Sequence, residues 1–72
     1  MFDEEYKRIG AKIAYYRKLK GMTQEQLAAE TGISTSYLSK IERGRYPGGV
    51  SLNVILLLAR SLEVDAVQLL QR

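Results

Sequence analysis

The stretch from Met22 to Gly44, MTQEQLAAETGISTSYLSKIERG, constrains the fold more than any other part of this chain. Thr23 can cap a helix, and Gln26, three residues on, can reach back to the free amide of the cap residue, a reciprocal pairing that marks a helix start. Leu27 and Ala28 give that helix an apolar side, and Ala28 is small, as a position must be where a second helix crosses it closely. Gly32 stops it, because glycine takes up the positive φ of a sharp helix-ending turn without a Cβ clash. Ser34 then caps a second helix almost at once. Its apolar positions, Ile33, Tyr37 or Leu38, and Ile41, recur at helical spacing, and Gly44 is placed to end it. The opposite face carries Thr35, Ser36, Ser39, Lys40 and Arg43. The segment therefore predicts two short helices, about Thr23 to Glu30 and about Ser34 to Arg43, joined by a tight turn.

That layout is a helix-turn-helix, here over about residues 23–43. Through its TQEQLA, TGIS and YLSKIERG segments the chain resembles the Cro/C1-type (XRE) helix-turn-helix family, which includes lambdoid phage repressors and the controller proteins of restriction-modification systems. The resemblance extends over nearly all of residues 7–70. It implies an all-α, compact five-helix, lambda-repressor-like DNA-binding domain, acting as a sequence-specific regulator of transcription on double-stranded DNA. The chain departs from the commoner family pattern in Arg45-Tyr46-Pro47-Gly48-Gly49, which replaces a shorter proline-containing turn, and in its acidic start, Asp3-Glu4-Glu5.

The flanking sequence supplies three more helices. The first runs from about Asp3 to Lys20, with Phe2, Tyr6, Ile9, Ile13 and Tyr16 along one stripe, and Gly21 closes it. Gly44 to Val50 holds the only proline and three of the six glycines, and reads as an exposed, bent connector. Ser51 caps a fourth helix, Leu52 to Leu62, and Asp65 with Gln68 repeats the capping-box pattern for a last helix ending near Leu70. No repeat or low-complexity tract interrupts the chain, so residues 1–72 read as one domain.

Composition removes several classes of function. Without cysteine there is no disulfide or thiolate metal site, and without histidine the commonest general base and metal ligand is missing. The sequence contains no nucleophile-base pair, metal cluster or phosphate loop, so no catalytic, metal or cofactor site is expected and no small-molecule ligand is evident. The acidic start is the reverse of a signal peptide, and the longest apolar run, Val54 to Ala59, is too short to span a bilayer; a cytoplasmic protein is expected. Net charge is only +3, but it is unevenly placed. Nine basic residues face three acidic ones between Lys7 and Arg45, against two basic and five acidic elsewhere. Positive charge thus accompanies the motif, where neutralising phosphates would drive salt-dependent affinity.

The resemblance assigns roles by position. Ser34, Thr35, Ser36, Ser39 and Lys40 match the family's groove-facing positions. Lys40 can donate to guanine O6 and N7, whereas short hydroxyls pair with several bases and specify weakly; Ser34 is also the helix cap. Gln24 matches a phosphate-binding position at a helix N-terminus, with a solvent-exposed, helix-starting glutamine as the other reading. Arg43, Arg45 and Tyr46 are placed for phosphates rather than bases. Two readings stay open for Tyr37, its ring under the helix or against the sugar-phosphate backbone. Arg17 and Glu42 match positions that often form an ion pair between the first and third helices, a structural role.

The fourth helix is more apolar than one core face requires. With Leu52, Ile55, Leu56, Ala59 and Leu62 as the core stripe, Val54, Leu57 and Leu58 join Val67, Leu69 and Leu70 as a surplus expected to form a homodimer interface. Similar proteins pair through their C-terminal helices, which would set two recognition helices about 34 Å apart on an inverted-repeat operator. The competing reading is an interaction module, antitoxin-like or an adaptor, that grips another protein through the same two helices.

Overall fold

The computed structural model describes residues 1–46 and 49–72. Five helices follow in order: α1 (Asp3–Leu19), α2 (Gln24–Thr31), α3 (Thr35–Glu42), α4 (Leu52–Leu62) and α5 (Ala66–Leu70). Among the described residues there is no strand. Part of the connector expected over Gly44 to Val50 falls on Pro47 and Gly48, which lie outside the described residues.

Local chemistry sets most of the boundaries. Acidic Asp3, Glu4 and Glu5 occupy the first turn of α1 and basic Arg17 and Lys18 its last, both favourable to the helix dipole. At α2 the capping box is formed: Thr23 Oγ1 accepts from the Gln26 amide at 3.1 Å and Gln26 Oε1 accepts from the Thr23 amide at 2.8 Å. Ser34 Oγ accepts from the Tyr37 amide at 3.0 Å, and Ser51 Oγ from the Val54 amide at 3.2 Å. Gln68 Oε1 accepts from the Asp65 amide at 2.9 Å to begin α5. Gly32, with φ 76°, makes the left-handed turn between α2 and α3.

Ile13, Leu27, Leu38, Ile41, Leu58 and Leu69 are fully buried, so every helix sends at least one side chain into a common core. Along α1, Tyr6, Ile9 and Tyr16 pack against it half-buried, as the stripe predicts, whereas Phe2 stays largely exposed ahead of the first helical residue. The crossing of α1 and α3 is close enough to depend on Gly10: a Cβ there would stand 2.7 Å from the Glu42 carbonyl oxygen and collide with that of Ile41.

On α4 the buried positions are Ile55, Leu58, Ala59 and Leu62, while Leu52 and Leu56 are exposed at 65% and 47%. The sequence-based core stripe is thus rotated on one side. A helix that is leucine on adjacent faces fits several phases equally well, and contacts with α2 and α5 select the one that buries Leu58.

Candidate nucleic-acid interface

The exposed side of α3 follows from how its other side is held. Leu38 and Ile41 are fully buried and Tyr37 packs half-buried against the core, so the ring of Tyr37 serves chiefly as packing. Ser36, Ser39, Lys40 and Arg43 recur at intervals of three, four and seven residues, which aligns them on the side away from Leu38. Ser36, Lys40 and Arg43 are exposed, and Thr35 and Ser39 are half-exposed beside them. Ser34, also exposed, uses its oxygen to cap the helix, yet its hydroxyl hydrogen remains available to an acceptor. The result is a short row of hydroxyls and one ammonium, with guanidinium groups at the far end.

Beneath this row, Arg17 and Glu42 join α1 to α3. Arg17 Nε donates to Glu42 Oε2 at 2.7 Å and Nη2 to Oε1 at 3.1 Å, a bidentate pair whose side chains are only 10% and 6% exposed. Arg17 Nη1 also donates to the Met22 carbonyl at 2.8 Å, just ahead of α2. Gln24 completes the cluster by donating Nε2 to Glu42 Oε1 at 2.9 Å. It is therefore not the free, solvent-exposed glutamine that one sequence reading allowed. One amide hydrogen of Nε2 is spent on Glu42 and the second can still meet an external acceptor. A single carboxylate thus locks the first turn of α2 and the last turn of α3 into one orientation, which is the geometry a two-helix reader has to keep.

Three sequence-based site assignments change. Tyr46 was expected at phosphates but is only 7% exposed, its ring centroid 4.8 Å from that of Tyr6. Burial, then the neighbouring Tyr6 and Tyr37, pushes its phenol up to about 12. A ring that returns beneath α1 belongs to the core. Leu58 and Leu69, expected at a dimer interface, are fully buried and have no surface to offer. Of the remaining interface residues, Val67 and Leu70 are exposed while Val54 and Leu57 are half-buried. Leu52 and Leu56, which had been given to the core, join the exposed apolar surface instead. An apolar groove of about 210 Å³ is lined by Tyr6, Ile9, Tyr46, Val50, Leu52, Ile55 and Leu70.

Among the described residues no three acidic side chains are grouped so as to hold a metal ion, and no helix is long and apolar enough to cross a membrane.

Comparison with known proteins places this architecture. The helix-turn-helix family model HTH_3 matches residues 13–69. The HTH-type transcriptional regulator SlrR of Bacillus subtilis is 46% identical over 61 residues, covering 85% of this chain but only 40% of SlrR. The restriction-modification controller protein C.AhdI from Aeromonas hydrophila superposes with a TM-score of 0.86 at 35% identity, covering 92% of this chain and 97% of that one. The biofilm master regulator SinR, solved in complex with DNA, gives 0.80 at 36% identity, over 88% and 98% of the two chains.

Proposed function

Because the chain belongs to the helix-turn-helix family of transcriptional regulators, we propose that it binds double-stranded DNA sequence-specifically, with α3 in the major groove, and regulates transcription as a homodimer on an inverted repeat. The observation that carries this reading is the exposed row of α3, Ser36, Ser39, Lys40 and Arg43, held in register with α2 by the Arg17–Glu42–Gln24 cluster. Ser34, Thr35, Ser36, Ser39 and Lys40 face the base edges, Lys40 carrying the most discriminating donor. Gln24, through its second amide hydrogen, and Arg43 and Arg45 meet phosphates that fix the register. The chain works by binding rather than by catalysis, in the cytoplasm where its target lies.

The dimer follows from size and surface together. Eight residues of α3 span about 12 Å, which is only three or four base pairs at about 3.4 Å each; one copy reads too little sequence to select a site. Leu52, Leu56, Val67 and Leu70, all exposed on α4 and α5, give a second copy apolar side chains to cover.

Selection of the purified protein against random duplexes, at salt high enough to suppress nonspecific phosphate binding, tests the whole reading. An enriched inverted repeat supports it, and its half-site centres give the spacing of the two α3 helices. A pool that stays random overturns it and favours a protein partner seated on α4 and α5.

A further inference from the structure

Five basic residues lie on α1 and a sixth, Lys20, caps its C-terminal end; three of the six are committed to the body of the bundle. Arg17 is paired with Glu42, the Lys12 ammonium donates to the Gln71 carbonyl, and Lys20 donates to the Ser61 carbonyl at 3.2 Å and the Glu63 carboxylate at 2.7 Å. Lys12 and Lys20 thus bind the ends of α5 and α4. Lys7 is placed differently. Gly44 follows α3 with φ 72°, and the space its Cβ would fill is taken by Lys7, whose Cα and backbone nitrogen lie 2.8 Å from that point and whose Cγ lies 2.9 Å from it. The missing side chain of Gly44 therefore seats the root of Lys7 against the end of α3. Lys7 is exposed, and among the described residues its ammonium takes part in no ion pair or hydrogen bond. Arg43 and Arg45, on either side of Gly44, are exposed as well.

We propose that Lys7 is a DNA-phosphate contact that acts with Arg43 and Arg45, so that α1 supplies one arm of a backbone clamp at the C-terminal end of α3. The proposal rests on the DNA-binding reading above. When the exposed row of α3 faces base edges, the end of that helix leaves the groove past its phosphate wall, and a lysine reaches such a wall as a mobile point charge on a long stem. Asp3 and Glu4 stand one turn earlier on α1, whereas Lys7 abuts Gly44 at the end of α3. The same position also lets the ammonium offset the negative end of the α3 dipole, a purely structural role that the experiment has to separate.

The test measures binding of the intact protein to a mixed-sequence DNA duplex across a salt series, alongside thermal unfolding. Each phosphate neutralised contributes about −0.9 to the slope of log affinity against log salt. Lys7→Gln is expected to make that slope less negative by about 1 per bound protomer with an unchanged melting temperature. Lys7→Arg keeps the original slope, and so does Lys12→Gln. A Lys7→Gln slope equal to that of the unaltered protein overturns the proposal, whether or not the melting temperature falls, because a dipole role moves only the latter. An equal change in Lys12→Gln overturns it too, since only general charge would then matter. Failure of the unaltered protein to bind the duplex refutes the DNA-binding reading itself, and is recognised by its independence of position 7.

Discussion

Arg17 and Glu42, twenty-five residues apart, meet through two hydrogen bonds of 2.7 and 3.1 Å in a site almost closed to solvent. Breaking a buried pair leaves an uncompensated charge, which costs about 3–5 kcal/mol, whereas replacing both partners by apolar groups is often neutral. Arg17→Met and Glu42→Leu are each expected to destabilise the fold by about 3 kcal/mol in urea unfolding, with the double variant recovering most of the loss. The double variant should still bind DNA more weakly, because Gln24 has lost the acceptor that positions it. Additive losses would show that the pair is not a unit.

Gly10 is expected to tolerate no side chain. Gly10→Ala drives a methyl into the carbonyl oxygens of Ile41 and Glu42, and the backbone shift needed to relieve it is expected to cost about 1–3 kcal/mol, despite the higher helix propensity of alanine. An unchanged or raised melting temperature would mean that α1 and α3 are not in such close contact.

Leu56 and Leu58, two residues apart, should separate interface from core. Leu58→Ala empties a fully buried position and is expected to cost about 2–5 kcal/mol. Leu56→Glu, at an exposed site, should leave the melting transition of the monomer nearly unchanged while shifting the protein from dimer to monomer in analytical ultracentrifugation. A variant that remains fully dimeric would remove Leu56 from the interface.

Tyr46 gives the fold an alkaline limit. Its phenol is raised to about 12 in the folded protein against about 10 when unfolded, so the neutral ring is the form the fold favours. Ionising the buried phenol is penalised in the fold, so by linkage this contribution to stability is fully present below about pH 10 and is lost as pH rises through about 12. Lysines titrate in the same window, so the measurement compares unfolding free energies of the protein and of Tyr46→Phe at pH 9 and pH 11.5. The unaltered protein should lose more stability than the phenylalanine variant; equal losses would indicate a phenol that remains in contact with water.

The parts of this fold that were legible in the sequence are those that local chemistry decides. Thr23, Gln26, Gly32, Ser34, Ser51 and Gln68 act within one turn of their own position, so their residue types and spacing sufficed to mark the helix boundaries. The parts that were not legible depend on distant partners. Gly10 carries no local signal, because its role lies in carbonyl groups about thirty residues away. On α4 an almost continuous apolar sequence fits several rotations, and only packing chooses Leu58 over Leu52 and Leu56. Tyr46 follows a turn, where no periodicity tells a ring folded inward from one turned out. Gln24 was assigned to the right end of α2, but the contact with Glu42 that orients it is a tertiary one.

The most direct test of DNA reading by α3 is the affinity of Ser36→Ala/Lys40→Ala for the duplex recovered by selection, with thermal unfolding measured in parallel. Both residues are exposed, so the melting temperature should stay within a degree or two. Affinity should fall by about tenfold or more, since a good base-edge contact is worth about 1–3 kcal/mol of discrimination. Unchanged affinity in a folded double variant would contradict the account, because the exposed face of α3 would then not be the surface that meets DNA.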